Sequence, residues 1–302
     1  MDVTPPEVDP ATRERLSARF GSEIETWFDE LPRTLTTLSR RWGLELAAAI
    51  PRGSVSAVFR GRLDDGRHAV LKVSPDRARI LSEATALDRW RTPHTPSVLE
   101  LDERLRALLI EAIEPGTPLD VSATYPSIDR VADLLMSLHR RADAAYPPVA
   151  VRVASLFDST ERLYERQPDL EALVPRDLFE RGRRLATRLT QRPSSREVLL
   201  HGDLTPSNIL DGGDERGLVA IDPAPCLGDA AFDAVDLILW QVDRVEKVDA
   251  RARSLADATD IDADRVIGWC TAFASMNALD LASRDIASSE LVVPLVELAS
   301  SA

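Results

Sequence analysis

The sequence predicts an α/β chain in two parts: a small strand-rich amino-terminal part behind a helical extension, and a larger, mostly helical carboxy-terminal part. Three observations carry this. Around the turn Asp64-Asp65-Gly66, residues 55–73 follow the short period of a β-hairpin. From Ile128 onward, apolar residues recur mainly at helical spacing. The chain has 302 residues, enough to bury a sizeable core and to build two lobes that share a cleft. The division is expected after Ile113, giving parts 1–113 and 114–302.

Residues 11–42 read as helices. Ile24, Trp27, Phe28 and Leu31 recur at helical spacing, and Leu35, Leu38 and Trp42 follow. Pro32 stands between the two sets and suits the first turn of a second helix. The aromatic residues are expected in the core. From Ser54 the period changes: Val55, Ala57 and Phe59 alternate with small or polar residues, and His68-Ala69-Val70-Leu71-Lys72-Val73 follows the turn. A helix is expected over about Arg77–Arg91, with Leu81, Ala84, Leu87 and Trp90 at helical spacing. Ala107–Ile110 is a short buried strand, and Glu111-Ala112-Ile113-Glu114-Pro115-Gly116 continues as a linker.

In the second part, Ile128–His139 is amphipathic, with Val131, Leu134, Leu135 and Leu138 on one face, and 156–166 and 177–191 also read as helices. Val198-Leu199-Leu200 is a short strand that delivers His201-Gly202-Asp203-Leu204-Thr205-Pro206-Ser207-Asn208. Ile209-Leu210 and Leu218-Val219-Ala220-Ile221 flank the turn-rich run Asp211–Gly217, which signals a hairpin. A hairpin returns Asp222 to the neighbourhood of Asn208. Asp203 and Asn208 are 5 residues apart and Asp222 lies 19 beyond Asp203. Phosphoryl transfer from ATP needs a carboxylate beside the acceptor hydroxyl and oxygen ligands for Mg²⁺. Asp203 can supply the first. Asn208 and Asp222 can supply the second, because Mg²⁺ is a hard cation that takes one or two carboxylate or amide oxygens beside phosphate oxygens.

The run H-G-D-x4-N, then Ile221-Asp222-Pro223, then Gly228-Asp229-Ala230-Ala231-Phe232-Asp233 resembles the aminoglycoside phosphotransferases, and within them the streptomycin 6-kinase and hydroxyurea phosphotransferase group. The resemblance runs from about Trp27, through Leu31-Pro32 and Arg41-Trp42, to the carboxy-terminal region. It implies a protein-kinase-like two-lobe fold and ATP with Mg²⁺ as cofactors. By this resemblance Lys72, in A-V-L-K-V, holds nucleotide phosphates, and Glu83, 11 residues later, orients it. Pro51-Arg52-Gly53-Ser54-Val55-Ser56 carries one glycine and no G-x-G-x-x-G, so Gly53, Ser54 and Ser56 are the candidate phosphate contacts. The adenine edge is expected on main-chain groups of Glu111 and Ile113. Asp203 is the catalytic carboxylate, which positions and deprotonates the acceptor hydroxyl. His139 and His201 are expected to brace the loop. Pro223 stiffens the chain after Asp222, so no swinging activation segment is expected. The last helices close the acceptor pocket, which makes Asn277 and Asp280 expected substrate contacts.

The helix expected after Gly228 carries Phe232, Val235, Leu239 and Val242 on one side, and Asp229, Asp233, Asp236 and Asp243 on another. Those acids read either as a solvated polar face or as an acidic lining for a cationic acceptor, with Asp233 also bracing the catalytic loop; Asp233 and Asp236 are the expected substrate contacts. The net charge of −13 would steer a cation inward and argues against nucleic acid and anionic membranes as partners. No apolar run approaches the ~18–20 residues of a membrane span, and Met1–Glu7 lacks the basic-then-apolar order of a signal peptide, so a cytoplasmic location is expected. Two cysteines, Cys226 and Cys270, are too few for a disulfide framework or a zinc site. The expected acceptor is an aminoglycoside-like cation, streptomycin first. Hydroxyurea, an amino sugar or another metabolite is the alternative, and a non-catalytic binding module is the rival from another class.

Overall fold

A computed structural model describes residues 5–51, 55–122, 124–141, 146–192, 197–284 and 289–301. The chain divides into two compact units, Met1–Gly116 and Thr117–Ala302.

The first unit opens with α1 (Pro10–Phe20) and α2 (Ile24–Trp42), followed by strands β1 (Leu44–Ala49), β2 (Ala57–Leu63) and β3 (His68–Val73), helix α3 (Arg77–Trp90), and strands β4 (Val98–Asp102) and β5 (Ala107–Glu111). The strands form one antiparallel sheet in the order β1-β2-β3-β5-β4. Helix α2 lays Leu31, Leu35 and Leu38 against the sheet face formed by Phe59, Ala69, Leu71 and Val73. Pro32, expected from the sequence in the first turn of a second helix, lies instead inside the continuous α2. A proline there removes one intrahelical hydrogen bond and costs roughly 3 kcal/mol in isolation. The helix continues because Ile24, Phe28, Leu31, Leu35 and Leu38 form one buried stripe across the proline. Strands β1 and β4, for which the sequence gives no signal, are the two sheet edges. Their state is imposed by the neighbours they pair with rather than by their own composition.

The second unit contains α4 (Ile128–Leu138), α5 (Val149–Arg166), the single turn α6 (Leu170–Leu173), α7 (Arg176–Gln191), β6 (Glu197–Leu200), β7 (Ile209–Asp211), α8 (Gly213–Arg216), β8 (Leu218–Ala220), β9 (Cys226–Asp229), α9 (Ala230–Asp233), α10 (Val235–Leu239), α11 (Glu246–Ala258), α12 (Ala263–Ser283) and α13 (Ser289–Ser300). Strands β6 and β9 pair with each other, and so do β7 and β8. The core is aromatic. Phe157 of α5 meets Phe179 of α7 at 5.2 Å and Phe273 of α12 at 5.3 Å, edge to face. Phe232 meets Trp269 and Phe273 at 5.3 and 5.6 Å. Gly182 lets α7 approach α12 closely: a Cβ there would lie 2.5 Å from the Ala272 carbonyl oxygen.

The continuous helix expected after Gly228 is two short helices. Helix α10 ends at Leu239, Trp240 turns extended, and Gln241 has φ +53°. The end is stabilised by Arg251, whose Nη1 donates to the Ile238 and Trp240 carbonyls at 2.8 and 2.7 Å. No helix among the described residues is long and apolar enough to cross a membrane.

The aromatic cluster gives a stability prediction. Phe157 is fully buried, and Phe157→Ala should destabilise the protein by about 3–5 kcal/mol. In urea unfolding this appears as a lower midpoint at unchanged slope; a loss below about 1 kcal/mol would contradict the packing described.

Candidate active site

Four segments converge on the loop after β6. The β6–β9 ladder pairs Leu200 with Cys226. Beyond it the Ala224 N–H donates to the His201 carbonyl at 2.9 Å. Gly202 takes φ +75°, and a Cβ on it would lie 2.1 Å from the Ala224 oxygen, so only glycine fits this crossing. At the far end of the β7–β8 hairpin the Ile221 N–H donates to the Asn208 carbonyl at 2.9 Å. The hairpin therefore brings Asp222 beside Asn208. Asp222 itself has φ +58°, a conformation uncommon for a non-glycine residue and doubly so before a proline.

Asp233 of α9 holds the loop from beneath. Its Oδ2 accepts the His201 N–H at 2.8 Å and its Oδ1 the Gly202 N–H at 2.9 Å, while His139 Nε2 lies 3.1 Å from Oδ2. Burial alone would raise the carboxyl pKa, but the hydrogen bond and charge of His139 and the Gly202 N–H together hold it below the usual range. The side chain is fully enclosed. That corrects the expectation that Asp233 touches the acceptor: both oxygens already serve the loop. His139 braces the loop through this carboxylate rather than by bonding the backbone. His201 Nε2 faces the Ile221 carbonyl at 3.0 Å and Nδ1 accepts the Asp203 N–H at 3.4 Å. A carbonyl only accepts, so the ring is the neutral Nε2–H tautomer. Burial lowers its pKa, against the nearby carboxylates of Asp233, Asp203 and Asp222. Burial also pushes the thiols of Cys226 and Cys270 up, which leaves both protonated and unreactive.

Asp203 is 30% exposed at its side chain, so a solute can reach it, unlike Asp233. Asn208 Nδ2 donates to the Asp203 carbonyl at 2.9 Å and to Asp203 Oδ2 at 3.2 Å. This turns the amide Oδ1 of Asn208 away from Asp203, as a metal ligand needs. One amide oxygen and one carboxylate, Asn208 and Asp222, make a hard-oxygen pair that suits Mg²⁺ completed by phosphate and water oxygens. No group of three or more His, Cys, Asp or Glu residues that could hold a metal by themselves occurs among the described residues. No sequence signal marks Arg152 on α5, whose Nη2 donates to Asp203 Oδ1 at 2.8 Å and whose Nε donates to the Gly202 carbonyl at 2.7 Å.

In the first unit, Lys72 Nζ lies 2.5 Å from Glu83 Oε1, both side chains buried. Lys72 alternates with Leu71 and Val73, so it leaves the sheet on the face opposite the α2 core, toward α3. Ser56 is buried at the foot of β2; Ser54 and Gly53 lie outside the described residues. The Glu111 N–H donates to the Ser97 carbonyl at 2.9 Å. Ile113 is buried and opens a tight turn in which Gly116 takes φ +69°.

A cavity of about 220 Å³ lies against Asp203 in the second unit, lined among others by Asp236, Phe273, Met276, Asn277 and Asp280. The expected four-acid face breaks up here. Asp229 caps α9, and its Oδ2 accepts from Arg265 Nε at 2.6 Å and Trp269 Nε1 at 2.8 Å. Asp243 lies beyond the end of α10, exposed and bonded to Lys247 at 2.7 Å. Of the four, Asp233, with its side chain enclosed, and Asp236 border the cavity; Asp229 is taken up by the α9 cap, and Asp243 is lost to the face because α10 ends at Leu239. Asp280 pairs with Arg284 at 2.6 Å. Asp236 is pushed up to about 6 by burial and the Asp203 charge, against Arg152 and a hydrogen bond from Asn277.

Asp236 couples stability to pH. Between the ordinary carboxyl value of ~3.9 and the raised one, the folded state binds more protons than the unfolded, so its contribution to stability falls as pH rises through that window. Asp236→Asn should therefore be more stable than wild type near pH 7, by on the order of 2 kcal/mol, with the difference closing near pH 4. Thermal unfolding at both pH values checks this; a variant less stable than wild type at the higher pH contradicts it.

Residues 41–284 match the family described as aminoglycoside/hydroxyurea antibiotic resistance kinases. Streptomycin 6-kinase of Streptomyces glaucescens is 30% identical over 86% of this chain and 86% of its own. Hydroxyurea phosphotransferase of Kitasatospora aureofaciens is 27% identical over 96% of this chain and 85% of its own. Among solved structures, a thermostable mutant of an aminoglycoside phosphotransferase in ternary complex with ADP and hygromycin B superposes with TM-score 0.56 at 15% identity, over 88% of this chain and 96% of its own. The chain belongs to the aminoglycoside/hydroxyurea antibiotic resistance kinase family, phosphotransferases of protein-kinase-like fold that act on a hydroxyl group.

Proposed function

We propose that this kinase transfers the γ-phosphoryl group of ATP to a hydroxyl of a cationic aminocyclitol antibiotic, streptomycin first. The observation that carries the reading is the loop that groups Asp203, Asn208 and Asp222 and sets Asp203 in the wall of a cavity with Asp236, Asn277 and Asp280. Asp203 accepts the proton of the acceptor hydroxyl as its oxygen forms the bond to phosphorus and the bridging bond to ADP breaks, in line and without a covalent enzyme intermediate. Lys72, oriented by Glu83, donates to phosphate oxygens. Asn208 and Asp222 hold Mg²⁺, which when bound neutralises charge on the transferred group. Glu111 and Ile113 meet the adenine edge through their main chain, and Ser54 and Ser56 are the remaining candidate phosphate contacts. Asp236, with Asn277 and Asp280, receives a cationic nitrogen of the acceptor. Relatives with streptomycin 6-kinase names and a solved structural relative with ADP bound support the reading.

A second reading, a small neutral acceptor such as hydroxyurea, draws on two observations. The cavity is smaller than the ~300–1,000 Å³ of sites that enclose a drug-sized ligand. Two of its acids, Asp203 and Asp280, are already paired with arginines.

Turnover with Mg²⁺-ATP across streptomycin, other aminoglycosides, hydroxyurea and hexosamines tests the proposal, with Asp203→Asn beside wild type. Streptomycin should be the best acceptor, with a KM that rises with salt. The amide variant should lose about 10²–10⁴-fold in kcat. A neutral compound as clear best substrate with a salt-indifferent KM favours the second reading, and an Asp203→Asn variant with half of wild-type turnover removes Asp203 as the base.

A further inference from the structure

We propose that Arg152 is a positioning residue for phosphoryl transfer: its guanidinium fork fixes the plane of the Asp203 carboxylate by bridging that carboxylate to the main chain of the preceding residue. The inference rests on Asp203 being the proton acceptor proposed above.

Two donors of one planar group reach two consecutive residues of the loop, Nε to the Gly202 carbonyl at 2.7 Å and Nη2 to Asp203 Oδ1 at 2.8 Å. The other carboxylate oxygen takes Asn208 Nδ2 at 3.2 Å. A carboxylate held from both oxygens cannot rotate about its Cα–Cβ and Cβ–Cγ bonds, yet each oxygen keeps a further lone pair for the acceptor's proton. That restraint is needed because the Asp203 side chain is 30% exposed, so burial alone does not fix its rotamer. Asp233 cannot supply it, since its two oxygens hold main-chain N–H groups of His201 and Gly202. Arg152 is itself only 23% exposed, which screens the pair less than an open surface ion pair.

The base of Arg152 is as fixed as its tip. The Leu227 N–H donates to the Pro147 carbonyl at 2.8 Å, and Pro148 pairs with Leu227. Val149 packs on Gly228 so closely that a Cβ there would lie 2.5 Å from Val149 Cγ1. The first turn of α5 is thus tied to β9, which is laddered to β6, the strand that leads into the loop with Asp203. Arginine suits the position as lysine does not: a point charge can meet the carboxylate or the carbonyl but cannot span both in one plane. Arg152 also faces Asp236, whose acidity its charge increases.

The test is steady-state kinetics of the full chain with Arg152→Ala and Arg152→Lys, in one assay with wild type, with and without guanidinium chloride at a non-denaturing concentration. Arg152→Ala should lose roughly 10- to 100-fold in kcat with the KM for ATP and acceptor shifted by less than about 3-fold, because geometry at the reacting proton is lost and binding is not. Free guanidinium should restore its turnover several-fold and leave wild type unchanged, a response that a merely structural brace would not give. Arg152→Lys should stay below about half of wild-type kcat, since it keeps charge without the fork. If the alanine variant does not fold, Arg152→Gln carries the same expectations. An alanine variant with at least half of wild-type kcat, or one whose loss guanidinium does not relieve, overturns the assignment while leaving the kinase reading intact. A wild type that phosphorylates no acceptor overturns that reading and this inference with it.

Discussion

The carboxylate of Asp233 is the interaction on which the candidate site depends. It is buried, ionised and hydrogen-bonded to two successive main-chain N–H groups of the loop that presents Asp203. Hydrogen bonds to a charged group contribute roughly 1.5–3 kcal/mol each, more than neutral ones. Their effect here is geometric. With His201 N and Gly202 N fixed, Gly202 must take its left-handed conformation against Ala224, and the next side chain is aimed outward as the loop leaves β6. His139 accompanies the buried anion and the α9 cap at Asp229 sets the depth of the helix that carries it.

The rest of the site is built by closing the chain on itself. The 201–203 stretch bonds forward to Ala224, and the β7–β8 hairpin bonds Ile221 back to Asn208. Three side chains spread over twenty residues become neighbours through short-range ladders. Asp222 in a left-handed conformation before Pro223 is a locally strained position, and such positions persist only when the surroundings over-determine them. The two ladders and Asp233 supply that over-determination. The same construction explains why His201 is neutral and spent on the loop: both ring nitrogens are engaged by main-chain groups.

What the sequence revealed follows from how local each feature is. The β2–β3 and β7–β8 hairpins were legible because Asp64-Asp65-Gly66 and Asp211–Gly217 announce their turns, and the grouping of Asp203, Asn208 and Asp222 was legible because one hairpin creates it. Strands β1 and β4 were not, since edge strands borrow their state from partners far along the chain. Helix α2 was read as broken at Pro32, where a tertiary stripe outweighs the local penalty. The acidic face after Gly228 failed for the opposite reason: a helical period was extended past Leu239, where Arg251 from a distant helix takes up the terminal carbonyls. Arg152 lies 51 residues before Asp203, and nothing in its own neighbourhood, an arginine in the first turns of a helix, distinguishes it from the many surface arginines of this chain.

The hairpin brings Asp222 to Asn208, and the proposed function requires that the two form a metal-dependent nucleotide site. Calorimetric titration of ADP into wild type and Asp222→Ala, each with and without Mg²⁺, tests it most directly. Mg²⁺ should tighten ADP binding in the wild type, and that difference should be lost in the variant, at a similar thermal midpoint. The same metal dependence in both proteins would contradict it.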